Sequence, residues 1–538
     1  MTTPATSSLS PDTLWRSAVL IGTPDSIAAV VGSLGATPDS PRPLGCLLLE
    51  AVEPTPSHVA GIAVIGTIDD LQRIHTQRGL SAAIVSIPSG MPAATLRTRA
   101  RLRQLGIIER FVPPIGDLLS QPVSRPHAPT AGAGVDLVEL IGRTPYGIDR
   151  KAVARVIEGK RVLVTGAGGS IGSEICRIAA TFKPSQLVLM ERSENALFEI
   201  DRQIARRFPD LPRKALLHDV TDAEQTLRHC LHLRAQTIFH SAAHKHVPLM
   251  EDHPGHAVTN NLFGTKSIAD AAMATGCERF VMISSDKAVN PTSVMGATKR
   301  LAEMYVQAMN QTARSRPGTR TSFTMVRFGN VLGSACSVLP IWGAQLAEGG
   351  PITVTDPRMT RYFMTITEAA TLVIQAAAID AHDESKGPAP TVLVLDMGDP
   401  VRILDLAQRF VALHGFEPRI AGGAPSRSVN AGVRLTGRDI DVVFTGARPG
   451  EKLHEELAYS AESLLPTPFP GIMALAASAR AQIDVTSMIA ELSATRHAQD
   501  RGEIVAAIRR HVPEMSDGST PNSVHTPNIR ALLAVAPA

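Results

Sequence analysis

The chain has 538 residues, with 44% apolar and 19% charged side chains, a composition that buries large cores and excludes an intrinsically disordered protein. Lys and Arg number 53 against 50 Asp and Glu, leaving a formal charge of +3, and aromatic residues are only 4%. That balance removes the basic footprint and the stacking surface of a nucleic-acid-binding protein, so no nucleic-acid partner is expected.

Residues 1–12 read as a disordered N-terminus. Residues 13–120 alternate apolar strands (Ser17–Gly22, Ile62–Ile65, Ala82–Ile87) with helical patterns (Asp69–Thr76, Ala94–Leu105), which predicts a small Rossmann-like α/β domain. Its first strand runs into Gly22-Thr-Pro-Asp-Ser26, which lacks a cradle of glycine amides, so no bound nucleotide is expected there. Residues 121–136, rich in Pro, Ala and Gly, read as a linker. Residues 137–460 carry the chemical signals, 461–513 read as a helical segment, and 514–538 as a disordered tail. No window reaches the ~18 consecutive apolar residues of a membrane span. The start, MTTPATSSLSPD, lacks the basic-then-apolar pattern of a secretory signal. Cys46, Cys176, Cys230, Cys277 and Cys336 are scattered without C-x-x-C spacing, so neither a zinc cage nor a disulfide framework is signalled and a cytoplasmic setting is expected.

The strand Arg161–Thr165 leads straight into Gly166-Ala-Gly-Gly-Ser-Ile-Gly172 and then a helical pattern from Ser173 to Thr181. Gly166, Gly169 and Gly172, with Ser170 and Ile171 between them, supply the tight turn and close backbone approach that a dinucleotide pyrophosphate needs. The next strand ends at Glu191, 19 residues after Gly172, where a carboxylate accepts from ribose hydroxyls and favours NAD. Arg192, followed by Ser193, suits a 2′-phosphate instead, so NADP stays open. Asp219 and Val220 frame the adenine, and Ala242, Ala243 and Lys245 follow a later strand end, where ligands of open α/β sheets gather. His244 and His246 are zinc ligands by type, but no third ligand accompanies them and no metal is expected.

The run Ser284-Ser-Asp-Lys-Ala-Val-Asn-Pro-Thr-Ser-Val-Met-Gly-Ala-Thr-Lys-Arg300 resembles the catalytic segment of large bacterial polysaccharide-biosynthesis nucleotide-sugar 4,6-dehydratases, of the extended short-chain dehydrogenase/reductase superfamily. Leu140-Ile-Gly-Arg143, Ala242–Glu251, Val326–Ser334, Arg361–Met364 and Arg448-Pro-Gly-Glu-Lys452 extend the resemblance over about 137–460. The fold implied is α/β: an N-terminal Rossmann-like domain, then an extended short-chain dehydrogenase/reductase Rossmann domain whose smaller substrate-binding part lies after residue 330. Large members carry N-terminal membrane helices that this sequence lacks, which leaves a peripheral membrane partner open. In similar proteins the helix near Asn260–Ala274 and the one carrying Leu301–Met309 form a dimer interface, which implies a homo-oligomer.

The reaction implied is the conversion of UDP-N-acetylglucosamine, or a close UDP-N-acetylhexosamine, to its 4-keto-6-deoxy sugar. Hydride leaves C4 for NAD, water is eliminated across C5 and C6, and the hydride returns to C6. Asp286 is the expected acid for the departing 6-hydroxyl, with a raised pKa, and Lys287 the expected base at C5, with a lowered one. Ser285 is expected to hold the 4-oxygen and Lys299 the nicotinamide ribose. Met295 stands where most of the superfamily has Tyr, as in the large dehydratases, so C4 oxidation needs another base. His246, Asn330, Ser337, Val338, Arg448 and Glu451 are expected around the uridine diphosphate; Arg361 is either a phosphate ligand or a scaffold residue. Ala335-Cys336 replaces the family's Arg-Gly, which leaves the sugar open. Two rivals remain, a nucleotide-sugar epimerase on the same scaffold and a non-catalytic cofactor-binding scaffold.

Overall fold

The computed structural model describes residues 18–34, 43–50, 56–88, 91–112, 140, 145–319, 321–379, 391–420, 439–459, 462–476 and 484–516. The expected N-terminal stretch 1–12, the linker 121–136, the tail beyond Ser516 and all but Leu140 of the Leu140–Arg143 motif lie outside the described residues. Two units divide the chain, Met1–Ala133 with Phe410–Asp441, and Gly134–Arg409 with Val442–Ala538. The domain expected at 137–460 is therefore interrupted, because 410–441 groups with the first unit.

The first unit opens with β1 (Ala18–Gly22), α1 (Pro24–Leu34), β2 (Cys46–Leu48), β3 (His58–Val59), β4 (Ile62–Thr67), α2 (Leu71–Arg78), β5 (Ala82–Ser86), α3 (Pro92–Gln104) and β6 (Ile108–Phe111). Its sheet has the order β3-β4-β2-β1-β5-β6, parallel except for the β3–β4 hairpin. Val19, Ile21, Leu47 and Val85 are buried on one face, and Leu20, Cys46, Leu48 and Ile84 on the other. Burial on both faces is why these strands read as unbroken apolar runs. The turn after β1 closes on itself: Ser26 Oγ donates to Ser86 O at 2.5 Å, and Thr23 N donates back to Ser26 Oγ at 3.0 Å.

The second unit starts with α4 (Arg150–Ile157), capped by Asp149, whose carboxylate accepts from Ala152 N at 3.0 Å. Then come β7 (Arg161–Thr165), α5 (Ser170–Ala180), β8 (Gln186–Glu191), α6 (Glu194–Arg207), β9 (Arg213–Leu217), α7 (Ala223–Leu233) and β10 (Thr237–His240). They are followed by α8 (Val247–Asp252), α9 (Pro254–Ala257), a π-helical turn at Val258–Phe263, α10 (Gly264–Thr275), β11 (Arg279–Ile283), α11 (Val294–Ser315) and β12 (Ser322–Arg327). β13 (Asn330–Leu332), α12 (Val338–Ala347), β14 (Ile352–Val354), β15 (Thr360–Arg361), β16 (Phe363–Thr365), α13 (Ile366–Ala376), β17 (Val392–Leu395), β18 (Val401–Arg402) and α14 (Ile403–Leu413) come next. β19 (Glu417–Ile420) falls in the stretch that groups with the first unit; after it come β20 (Asp439–Phe444) and the closing elements of the second unit, β21 (Leu464–Pro466), β22 (Ile472–Leu475), α15 (Val485–Thr495) and α16 (Arg501–His511).

The nine-stranded sheet runs β21-β22-β17-β12-β11-β10-β7-β8-β9. Strand order reverses between β7 and β10, and in such sheets ligands gather outside the carboxyl ends at that point. The segment 461–513, expected to be helical, also supplies β22, antiparallel to β17, and β21, antiparallel to β22. Strands of three and four residues are too short to carry an alternation from which to read them. α11 packs on α10 and also on α15 and α16, and Leu301 and Met304 are buried within the chain. Among the described residues no helix is long and apolar enough to cross a membrane.

Candidate active site

The turn between β7 and α5 is built from glycine because nothing larger fits. Gly166 has φ +64°, and a Cβ there would stand 2.8 Å from Ala242 N. A Cβ at Gly172 would stand 2.1 Å from Gly166 O. α5 starts at Ser170, earlier than the expected Ser173, with Gly169 at its N-cap and no side-chain cap. Its first N–H groups have no partner within the helix, which is the physical basis of anion binding at a helix start.

At the end of β8, Glu191 accepts from Gly168 N at 3.1 Å, Arg192 N at 3.0 Å and Ser193 N at 3.1 Å. Arg192 turns to Asp219 (3.7 Å) and donates to Asn260 Oδ1 (3.2 Å). Gly166, Gly169, Glu191, Arg192, Asp219, Val220, Ala242 and Ala243 line one cleft of about 260 Å³. Ser193 does not line it; it caps α6 through Ala196 N. A larger cleft of about 690 Å³ shares Gly169, Ser241, Ala243 and His244 with the first and continues past Ser170, Ile171, Gly172 and Lys245. The Ala335-Cys336 loop lies against this turn: Ala335 N donates to Ser170 Oγ at 3.1 Å, and Lys245 Nζ donates to Ala335 O at 2.8 Å.

The carboxyl end of β11 faces the larger cleft. Ser285 caps a short 3₁₀ turn, Asp286–Ala288, accepting from Lys287 N at 3.3 Å and donating to Asp286 Oδ1 at 2.9 Å. Successive side chains of an extended strand diverge, but this turn brings Lys287 Nζ to 3.0 Å from Asp286 Oδ1. Lys287 also reaches Asn330 Oδ1 at 3.1 Å and Glu455 Oε1 at 3.4 Å. Asp286 is fully buried and lines neither cleft; its Oδ2 has no hydrogen-bond partner and lies 3.0 Å from where a Cβ on Gly329 would stand. Burial pushes its carboxyl above the usual range, and the Glu455 charge adds to that against the pull of Lys287.

Lys287 departs from expectation. Burial alone would lower its pKa, but the carboxylates of Asp286 and Glu455 outweigh it and the ammonium is held above its ordinary value. Lys299 has a depressed value, about 8, because it is buried, and burial lowers Lys245 and Lys452 as well; the Lys299 Nζ donates to Ile283 O at 2.7 Å. Met295 lies one helical turn before it on α11 and lines the cleft without a proton to exchange.

His246, Asn330, Ser337, Val338, Arg361, Arg448 and Glu451 all line the larger cleft. Arg361 is nevertheless mostly engaged in scaffold bonds, donating to Thr360 O at 2.8 Å and Leu453 O at 3.2 Å. Ser337 stands at the N-cap of α12 with no bond to its hydroxyl. Two groups escaped the sequence reading. Glu455 sits 2% exposed beside Lys287, its only trace being an acidic residue shortly after Arg448-Pro-Gly-Glu-Lys452. Glu303, fully buried beneath the site, accepts from Ser284 Oγ at 2.7 Å and from Arg327 Nη2 at 2.7 Å.

A family pattern described as "Polysaccharide biosynthesis protein" matches residues 162–477. The capsular polysaccharide biosynthesis protein CapD of Staphylococcus aureus is 39% identical over 398 residues, covering 74% of this chain and 60% of that protein. The probable polysaccharide biosynthesis protein EpsC of Bacillus subtilis is 40% identical over 417 residues, covering 77% and 63%. The chain thus spans about three fifths of the length of these two relatives. A UDP-N-acetylglucosamine 4,6-dehydratase (inverting) of Campylobacter jejuni is 27% identical over 329 residues, covering 60% of this chain and 84% of that enzyme. Among solved structures, Pen from Bacillus thuringiensis matches with a TM-score of 0.51 and 30% identity, covering 61% of this chain and 90% of that one.

Proposed function

We propose, because the chain belongs to the polysaccharide biosynthesis protein family, that it is a nucleotide-sugar 4,6-dehydratase acting on UDP-N-acetylglucosamine or a close UDP-N-acetylhexosamine. The observation that carries this reading is a buried carboxyl with a raised pKa, Asp286, paired with Lys287 at the end of β11 above a glycine-lined cleft. An epimerase has no leaving hydroxyl to protonate and no use for such an acid.

The dinucleotide would lie from the small cleft into the large one, its pyrophosphate over Gly169 and Ser170 and its adenosine ribose at Glu191. NAD is favoured over NADP, because Glu191 presents negative charge to a 2′-phosphate and Arg192 is already engaged with Asp219 and Asn260. When bound, the nicotinamide supplies the hydride acceptor for C4 and later the donor for C6.

This chain's own groups do the rest. Asp286 gives its proton to the departing 6-hydroxyl, which leaves as water. Lys287, which carries its proton at rest, first releases it to solvent; the neutral amine then takes the C5 proton, and a proton returns from it to C5 when C6 is reduced. Ser285 holds the 4-oxygen, and Lys299, the lysine most easily deprotonated here, is the candidate base for the 4-hydroxyl in the absence of a Tyr. Arg448, with Asn330 and Ser337, would hold the uridine diphosphate. All five cysteines are free, which suits a reducing cytoplasm, and a second copy of the chain is the partner expected from the family resemblance.

Mass spectrometry after incubation with UDP-N-acetylglucosamine and NAD tests the reading. Loss of one water from the sugar nucleotide is expected. A product of unchanged mass and altered C4 configuration would replace it with the epimerase, and bound cofactor with unchanged sugar would replace it with the scaffold.

A further inference from the structure

Lys287 is not a simple ion-pair partner of Asp286. Its ammonium lies between two buried carboxylates, 3.0 Å from Asp286 Oδ1 and 3.4 Å from Glu455 Oε1. Each of those carboxylates keeps a second oxygen, Asp286 Oδ2 and Glu455 Oε2, buried and without a hydrogen-bond partner. The two acids come from distant parts of the chain, Asp286 from the turn after β11 and Glu455 from the segment after β20.

Their surroundings are unequal. Glu455 has Lys287 on one side and Arg361 Nε at 3.7 Å on the other. Lys452 also faces it, though that ammonium is turned to Val289 O at 2.6 Å and to Glu456 at 3.8 Å. Asp286 has Lys287 as its one ion-pair partner among the described residues, with the neutral Ser285 hydroxyl beside it. Two carboxylates crowded into one dry site do not both stay ionised without enough positive charge, and the less well matched one takes the proton.

We infer that Glu455 is a positioning residue for the dehydration: as the carboxylate with two cations beside it, it stays ionised, holds Lys287 in place, and leaves the shared proton on Asp286. Asp286 is thereby loaded as an acid before substrate arrives, and its orphan Oδ2, facing Gly329 of the cleft wall, is the oxygen that carries the proton. Pairs of acids whose environments push their pKa values apart divide the acid and base roles in this way. The inference deepens the dehydratase reading and rests on it for its role in catalysis, although the protonation state itself does not require turnover.

The experiment is an infrared titration of the full chain, following the carbonyl stretch of a protonated carboxylic acid, beside kcat and KM for UDP-N-acetylglucosamine across pH. The unsubstituted protein is expected to show the band at neutral pH, and Asp286→Asn to lose it. In Glu455→Gln the midpoint of the band falls by at least about one pH unit, because a neighbouring negative charge is gone. The upper limb of the kcat profile moves down with it, while KM changes less than about twofold. Glu455→Asp, which keeps the charge, restores most of the midpoint and separates the electrostatic role from lost packing. An Asp286 already ionised at neutral pH, or a midpoint unmoved in Glu455→Gln, overturns the inference even if the protein is an active dehydratase. The expected band behaviour in a protein that dehydrates no UDP-hexosamine upholds the protonation assignment and contradicts the dehydratase reading alone.

Discussion

Both parallel sheets begin with an apolar strand that runs into a helix, yet the two turns that follow differ in what they leave free. After β1 the turn is satisfied from within: Thr23 and Ser26 exchange bonds, and Ser26 Oγ is tied to Ser86 O at 2.5 Å. After β7 the turn's own amides are also taken, Ala167 N by Met190 O, Gly168 N by Glu191 and Gly169 N by Gly166 O, but its glycines crowd backbone against backbone and α5 starts without a side-chain cap. A helix start whose side chains cap it stabilises its own fold; a helix start left uncapped keeps N–H groups for an anion. The same architecture thus yields a side-chain-capped helix start in one place and an uncapped one in the other.

Substitutions at the two edges sharpen that contrast. The largest effect is expected at the second sheet, where Asp286→Asn lowers kcat by about 10²- to 10⁴-fold, the range for removing a general acid, with cofactor content unchanged by absorbance or mass spectrometry. Next, Gly172→Ala sets a methyl group 2.1 Å from Gly166 O, so α5 must move away from the turn. Cofactor affinity, read by calorimetry, is expected to fall by about 100-fold, as a displacement of this size costs a positioned site.

Acid should separate the two units as well. Burial opposes the charge of Glu303, but the Arg327 and Arg300 guanidinium groups outweigh it and hold the carboxyl at about 2, below its ordinary 4.5. Its contribution is therefore fully present above pH 4.5 and is lost as pH falls through about 2. Urea unfolding across that window should show the second unit weakening, and Glu303→Gln, which leaves Arg327 facing a neutral partner, should destabilise it by about 3 kcal/mol already at neutral pH. The smallest effect is expected at the first turn: Ser26→Ala costs about 1 kcal/mol in the first unit and changes neither cofactor content nor turnover. A loss of cofactor there would break the contrast.

How much of this was legible in sequence follows from distance along the chain. The cradle was legible because its strand, glycines, helix and Glu191 are consecutive, and each is demanded by local geometry. In the first turn Pro24 and Asp25 suit a turn and the lack of a glycine cradle was legible, but the bonds of Ser26 to Thr23 and Ser86 were not. Asp286 and Lys287 could be placed at a strand end, but the depressed pKa expected for Lys287 was wrong, because the carboxylate that reverses it, Glu455, arrives from the far side of the unit. β21 and β22 went unseen because such short strands among Pro466, Pro468 and Pro470 carry no periodic signal. That α15 and α16 pack on α11 could not be read from α11 itself, because they follow it by about 170 residues of sequence.

The central claim is that one glycine-lined cleft carries out dehydration with Asp286 and Lys287. Proton NMR of UDP-N-acetylglucosamine turnover in deuterated water tests it most directly. The account predicts a new 6-methyl signal with deuterium at C5, because the C5 proton is given up to the enzyme and replaced from solvent. An unchanged hexosamine in a cofactor-loaded protein, or a 6-methyl product that keeps its original C5 proton, would contradict it.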